Sequence, residues 1–386
     1  MVDLFDEMTF TRGPAMKNRF MLAPLTNSQS HVDGVLSDDE FNWLTYRATG
    51  GFAHVMTACA HVQAVGQGFP GQLGVFSDKH LPGLTRLAAK IREEGAVSSV
   101  QLYHAGNRAP ANLIGGQPRG PSGEEDSGTR DVTRGQITDL GGPEDHMEVP
   151  PRAMTLAEVE ELVEDFIVAA IRCETAGFDG VELHGAHGYI ITAFLSSELN
   201  RRTDRYGGSL ENRMRFLKEI IAGIRARTNP NFQLGLRISA ERFSLKLADQ
   251  LEIARQMLTS GDLDYLDVSL WDCFKMPEEE EFAGKMLIDW FAEIPRGNTR
   301  LGVAGKLMSA DDCRRVLDHG VDFVLLGRGA ILHHDMPNLI KADPNFTSIA
   351  NPVTRDHLRK ERLGEAFIDY MATWKGFVVE EETEDA

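Results

Sequence analysis

The sequence predicts an α/β protein of the (β/α)8 TIM-barrel class. Short apolar runs alternate with longer amphipathic runs, the pattern of a parallel sheet covered by helices. The short runs number eight, as many as close such a barrel. The glycines and polar residues that break the apolar pattern fall just after those runs, at the strand ends where barrel enzymes carry their chemistry.

The first strand is expected near Arg19–Leu25. Ser37 with Glu40 reads as a capping box opening a helix that Gly50–Gly51 ends, ahead of a second strand at Phe52–Ala58. The third strand is Val97–Tyr103. After it, His104–Met154 is rich in Gly, Pro and acidic residues and has no helical period, so it is expected to be a lid. Thr155 with Glu158 forms a second capping box, opening EVEELVEDFIVAAIRCETAG, which stops at Gly177. Strands four, five and six are expected at Asp179–Leu183, Gln233–Ile238 and Tyr265–Ser269, with helices through ENRMRFLKEIIAGIR and DQLEIARQML between them. A second excursion, Leu270–Arg300, separates strand six from strand seven at Leu301–Ala304. The helix ADDCRRVLDHG then leads to strand eight at Phe323–Leu326. One domain is expected over residues 1–375, with an acidic tail over 376–386.

Composition excludes several function classes. The formal charge of −18 argues against nucleic acid and anionic membrane surfaces as partners, since both attract basic faces. The four cysteines, Cys59, Cys173, Cys273 and Cys313, contain no Cys-x-x-Cys pair, which excludes a ferredoxin-type cluster. Their sparing use suits a reducing cytoplasm. No basic segment leads an apolar run at the start, so no signal peptide is expected, and no stretch reaches the roughly 20 apolar residues of a membrane span. The expected partners are small molecules, with self-association into a homo-oligomer left open.

The candidate site follows from the strand ends. Strand one runs out into Ala23-Pro24-Leu25-Thr26, strand two into Thr57-Ala58, strand three into Gln101-Leu102-Tyr103-His104. Strand four leads to His184-Gly185-Ala186-His187-Gly188-Tyr189, and strand five ends near Arg237. Gly305-Lys306 and Gly327-Arg328 follow strands seven and eight, where barrels often bind phosphate through glycine turns and helix starts. Their alternative reading is loop glycines and a surface cation. Arg237 closes an apolar strand, so it needs either an anionic ligand or an internal carboxylate. His184 and His187 fit three readings: a zinc pair without a third ligand of recognisable spacing, a hydrogen-bonded core pair, or two N–H donors for an oxyanion beside a proton source, Tyr189. No metal is expected.

These residues resemble one family, the old yellow enzymes: FMN-dependent ene-reductases and related NADH:flavin oxidoreductases. The block HGAHGYIITAFLSSELNRRTDRYGGSLENR, from His184 to Arg213, carries the likeness, with APLT, QLYHAG, the Arg237 strand and LGRGAI in support. The resemblance implies non-covalent FMN as cofactor and NADH or NADPH as reductant. Hydride would pass through flavin N5 to an electron-poor acceptor such as an α,β-unsaturated carbonyl, nitro compound or quinone. It also implies roles. Pro24, Leu25 and Thr26 would lie against the flavin ring, and Ala58 would offer backbone atoms, and Gln101 its amide, to the pyrimidine edge. Arg237 would sit near N1 and O2; Gly305, Lys306, Gly327 and Arg328 would hold or border the phosphate. His184 and His187 would bind the acceptor oxygen, and Tyr189 would supply a proton to carbon.

Three positions depart from the family pattern. Lys306 stands where a small residue is frequent, Asn107 follows His-Ala-Gly where an arginine is frequent, and Thr26 replaces the cysteine of one subgroup. Two alternatives stay open at the level of sequence. One is a flavin-free barrel acting on a sugar phosphate; the other is a flavin dehydrogenase oxidising an amine-like substrate.

Overall fold

The computed structural model describes residues 2–123 and 149–379. Eight parallel strands close the barrel: β1 (Phe20–Leu22), β2 (His54–His61), β3 (Val97–Tyr103), β4 (Gly180–Gly185), β5 (Gln233–Ser239), β6 (Tyr265–Ser269), β7 (Arg300–Ala304) and β8 (Phe323–Leu326), with β1 hydrogen-bonded to both β2 and β8. Each predicted strand is present. β1 is shorter than expected because Pro24 has no N–H to continue a ladder. β2 is longer, and its pairing with β3 slips between Met56 and Cys59, a bulge that shifts which side chains face inward.

The outer helices are α1 (Asp38–Thr49), α2 (Leu81–Glu93), α3 (Leu156–Thr175), α4 (Arg215–Arg227), α5 (Leu247–Thr259), α6 (Leu287–Ala292), α7 (Ala310–Asp318) and the short α8 (Arg328–Leu332). Thr155 and Glu158 form the reciprocal capping box expected at α3. At α1 the Ser37 hydroxyl accepts the Glu40 N–H, but the Glu40 carboxylate is buried and turned to Asn27 (3.0 Å) and Ser30 instead of back to the cap. That half of the expected box is replaced by a tertiary tether. The second excursion contains α6, a helix that the sequence pattern does not predict.

The barrel interior is packed by pairing large side chains with absent ones. A Cβ at Gly235 would stand 2.1 Å from the Tyr265 ring, and one at Gly302 would stand 2.4 Å from Phe323, so both glycines make room for an inward aromatic residue. An N-terminal hairpin, joined by Met8–Met16 backbone bonds of 2.9 and 2.8 Å, contributes both methionines to this inner core. Aliphatic side chains between strands and helices form the larger core layer.

Beyond α8 the chain forms α9 (Met336–Ala342), α10 (Arg355–Lys360) and α11 (Glu365–Ala372), none of which the sequence reading identified. Phe367 of α11 packs edge-on to Trp43 of α1 at 5.4 Å, and the Gly364 N–H donates to Gln29 Oε1 at 2.7 Å. Described chain continues through Phe377 and Val378, both buried, past the expected tail boundary; the rest of the acidic tail, 380–386, lies outside the described residues. Of the expected lid, 124–148 lies outside them too. Its described ends pair as two short strands, Arg119–Gly120 with Arg152–Ala153. Among the described residues no helix is long and apolar enough to cross a membrane.

Candidate active site

A cavity of about 300 Å³ opens at the C-terminal ends of the strands. That volume sits at the small end of ligand sites. Pro24, Leu25, Thr26, Gln101, His184, His187, Tyr189, Arg237, Gly305, Lys306, Gly327 and Arg328 all line it. The sequence-predicted set is thus brought together, with one exception. Ala58 is not in the lining, and its carbonyl already accepts the Thr57 hydroxyl at 2.7 Å. Its neighbour Cys59 lines the cavity instead, beside the β2 bulge. Burial pushes the Cys59 thiol up to about 12, so it is present as a neutral thiol.

At the floor, Arg237 on β5 pairs with Asp267, its direct neighbour on β6, through Nε at 3.0 Å from Oδ2. The internal carboxylate and the cavity-facing position, posed as alternatives by the sequence, are therefore both realised. Gln101 on β3 sits opposite Glu182 on β4, and its Nε2 donates to Glu182 Oε1 at 2.7 Å.

At one corner stand Gly305, Lys306, Gly327 and Arg328. A Cβ on Gly305 would fall 2.9 Å from the backbone nitrogens of Asp272 and Cys273, so only glycine lets these two strand-end loops approach. Lys306 adopts a left-handed φ of 52° and its Nζ lies 3.0 Å from Asp272 Oδ2. Two cations and glycine-lined backbone suit a phosphate there, against an otherwise acidic chain.

The other side of the cavity is aromatic. His184 and His187 lie with ring centroids 5.1 Å apart, and Tyr189 is 5.3 Å from His184. His187 is held in the left-handed region (φ 61°), with its N–H donating to Ser239 Oγ at 3.0 Å and its Nε2 2.9 Å from Ser269 Oγ. Burial, and then the nearby Arg237 charge, hold both imidazoles well below their ordinary value, so both are neutral at neutral pH. The His184 Nδ1 is buried and makes no hydrogen bond within the described structure. Arg108 donates to the His187 carbonyl and stacks over the Tyr189 ring at 4.7 Å.

Several lining residues escaped the sequence reading. Phe243 and Trp271 flank His187 at 5.8 and 5.9 Å, and Tyr370, Met371, Trp374 and Phe377 come from α11 and the turn after it. Phe243 could have been suspected from its place just beyond strand five. Nothing in the local pattern of the C-terminal segment marks it as part of a site.

By contrast, Asn200–Arg213, the longest part of the most recognisable block, contributes no residue to this cavity. Asn200 Nδ2 donates to the Phe194 and Tyr206 carbonyls at 2.8 and 2.7 Å, and Arg202 binds the Pro121 and Met154 carbonyls at 3.0 and 2.6 Å. Arg213 reaches the Leu195 carbonyl and Asp249 at 2.8 and 2.5 Å. This segment is a clamp between the β4 loop, the base of the lid and α5.

The family model described as NADH:flavin oxidoreductase / NADH oxidase matches residues 3–344. The probable NADH-dependent flavin oxidoreductase YqiG of Bacillus subtilis (strain 168) is 34% identical over 351 residues, 89% of this chain and 86% of that protein. The NADH:acrylate oxidoreductase of Vibrio harveyi is 30% identical over 96% of this chain, which spans only 36% of that protein. Among solved structures, a 2-naphthoyl-CoA reductase in complex with 2-naphthoyl-CoA aligns with a TM-score of 0.74 and 28% identity, over 88% of this chain and 52% of its own.

Proposed function

We propose an acceptor chemistry from one premise: this chain belongs to the NADH:flavin oxidoreductase / NADH oxidase family, the old yellow enzymes, and is an NAD(P)H-dependent FMN oxidoreductase. Its acceptor, on this reading, is a small electron-poor molecule: an α,β-unsaturated carbonyl, a nitro compound or a quinone. The observation that carries it is the pair of neutral imidazoles, His184 and His187, lining the same cavity as the Tyr189 phenol and the Arg237 guanidinium.

The residues present fit FMN. The cation pair Lys306 and Arg328 with Gly305 and Gly327 would hold the phosphate, while Pro24, Leu25 and Thr26 would pack on the ring system. Gln101 and Arg237 would meet the pyrimidine edge, where Arg237 favours added negative charge. A backbone contact through the Ala58 carbonyl would use its second lone pair, since the first already accepts the Thr57 hydroxyl. When bound, FMN supplies the hydride transfer between the nicotinamide and the acceptor.

His184 and His187 would direct N–H groups at the acceptor's carbonyl or nitro oxygen. As neutral donors they stabilise charge that develops on that oxygen without having to lose a proton of their own. Ser269, within hydrogen-bond distance of His187 Nε2, holds that ring in place. Tyr189 would offer its hydroxyl proton to the carbon next to the carbonyl, and the Arg108 guanidinium over its ring keeps the phenol in place. Two relatives are named for acceptors conjugated to an acyl carbonyl, acrylate and 2-naphthoyl-CoA, which supports this class.

Anaerobic stopped-flow reduction by NADH and by NADPH, followed by reoxidation with enones, nitro compounds and quinones, tests the reading. Tyr189→Phe should leave reduction by nicotinamide intact and slow only the enone half-reaction. If Tyr189→Phe leaves enone turnover unchanged, the proton-donor role is wrong. Bleaching of the flavin by an amine without nicotinamide would favour a dehydrogenase running in the opposite direction.

A further inference from the structure

Beneath the cavity the barrel interior carries a polar layer where barrels ordinarily pack aliphatic side chains. It comprises His54 (β2), Ser99 and Gln101 (β3), Glu182 (β4), Arg237 (β5), and Tyr265 and Asp267 (β6), all buried. His54 is neutral, its pKa pushed down to about 3 by burial, and its Nε2 lies 2.6 Å from Ser99 Oγ. Burial raises the Tyr265 phenol, so it too is neutral, as is His184 above. Three charge-bearing groups are left: one guanidinium and two carboxyls.

Two ionised carboxylates against one cation would leave a net buried charge, the arrangement protein interiors tolerate least. Hydrogen bonding points the same way. Glu182 Oε1 accepts from Gln101 and the Tyr265 hydroxyl is a second donor to the Glu182 carboxyl, whereas Asp267 meets only the Arg237 Nε, as an ion pair. Ionised carboxylates only accept, so an ionised Asp267 beside an ionised Glu182 would have the Arg237 contact alone to satisfy its oxygens, whereas a carboxylic acid brings its own donor.

We propose that Glu182 and Asp267 hold one proton between them at neutral pH, keeping the layer under the flavin electrically neutral. Arg237 is then balanced by a single carboxylate while it faces the cavity, and Glu182, as a positioning residue, fixes the Gln101 amide. Burial raises both carboxyls, and the charge of Asp267 raises Glu182 further, against the opposing effect of Arg237. Loss of the proton at alkaline pH makes the layer anionic. A negative layer disfavours adding electrons to a flavin above it, so the pair couples the flavin potential to pH.

Infrared difference spectra on apoprotein test the proton without any flavin. Wild type minus Glu182→Gln and wild type minus Asp267→Asn should each show, at neutral pH, a protonated-carboxyl C=O band lost in the variant. Glutamine removes the acid itself; asparagine leaves Glu182 alone with Arg237, where it ionises. The difference format cancels Glu40, another buried carboxyl raised by burial. Absence of the band from either spectrum overturns the proposal. If Asp267→Asn does not fold, wild type at neutral minus alkaline pH must show the same band as the Glu182→Gln difference, and its absence counts equally against the pair. A second arm rests on FMN lying over Gln101 and Arg237, and does not depend on the acceptor class. FMN midpoint potentials of wild type and Glu182→Gln should coincide at low pH, with wild type falling below the variant as pH rises. Parallel lines across the range would overturn the coupling to flavin, even with the shared proton intact.

Discussion

Side chains from the strand ends and side chains from the C-terminal segment line the same cavity but are held differently. Gln101, His184 and Arg237 stand on ladders hydrogen-bonded on both sides, and Arg237 and Gln101 have buried partners behind them. Tyr370, Met371, Trp374 and Phe377 hang from α11 and the turn beyond it, docked through Phe367 and Ile368 onto the outside of the barrel. The family match ends at residue 344, before any of these four. The contrast separates two jobs: a floor on the strands suited to a cofactor, and a wall from the C-terminal segment that shapes what can reach it.

The sharpest way to break that division is Arg237→Met. It removes the cation from the floor and strands Asp267 as a buried carboxylate with no counter-charge. Breaking such a pair from one side costs on the order of 3–5 kcal/mol. Thermal melts should show a large loss of stability in the apoprotein, and reconstituted protein should carry less FMN, at a lower potential. Full FMN occupancy at an unchanged potential would mean Arg237 serves only the internal pair.

Next come His184→Ala and His187→Ala. Each should weaken binding of phenol-like oxyanion mimics by about tenfold or more, with FMN content unchanged. Because both imidazoles stay neutral, wild-type affinity for a non-titrating acceptor should not change between pH 5.5 and 8. The same burial has a stability consequence. Histidines kept neutral when folded, with pKa values lowered to about 3 for His54 and His104 and about 4 for His61 and His80, protonate freely once unfolded. Stability is therefore fully present above the unfolded value near 6.5 and is lost as pH falls below it towards 4. A melting temperature that is flat from pH 7 to pH 5 would contradict this burial.

The legibility of the molecule follows the same division. Strands were readable because alternation and run length are local properties, and their polar ends were readable because a barrel puts all of them on one rim. What failed depended on distant partners. The Glu40 side chain reaches Asn27 and Ser30 rather than its own cap, a choice made by tertiary packing. The β2 bulge, which brings Cys59 rather than Ala58 into the lining, has no local signature. The α11 aromatics read as any amphipathic helix would. Even the strongest likeness divides: His184, His187 and Tyr189 line the cavity, while Asn200 to Arg213 is scaffold whose motif is kept together by backbone carbonyls it must satisfy.

Trp374→Ala probes the C-terminal wall. FMN content and the rate of reduction by nicotinamide should stay near wild type, while KM for bulky acceptors shifts several-fold and small acceptors change little. Tyr370→Phe, which keeps the ring, should do less. If Trp374→Ala empties the FMN site instead, the C-terminal segment belongs to the cofactor floor, and the division between the two walls is wrong.

Lys306→Ala should have the smallest effect, and its smallness is informative. Lys306 belongs to the strand-end set, yet its side chain is 56% exposed and already lies 3.0 Å from Asp272. An exposed ammonium is screened by salt, and a pair of this kind is worth about 0–1 kcal/mol. Removing it also releases Asp272, which keeps the Phe274 N–H at 3.0 Å but loses the ammonium beside it, while Arg328 still supplies a two-pronged cation for a phosphate. The expected result is a loss of FMN affinity of a few-fold at low ionic strength, shrinking towards none as salt is raised, with the flavin potential unchanged. Isothermal titration of apoprotein with FMN at two salt concentrations measures it. A loss as large as that of Arg237→Met, and insensitive to salt, would show that Lys306 is desolvated against the phosphate. Burial behind the strand ends would then not be what separates strong from weak cofactor contacts here; direct contact with the ligand's charge would.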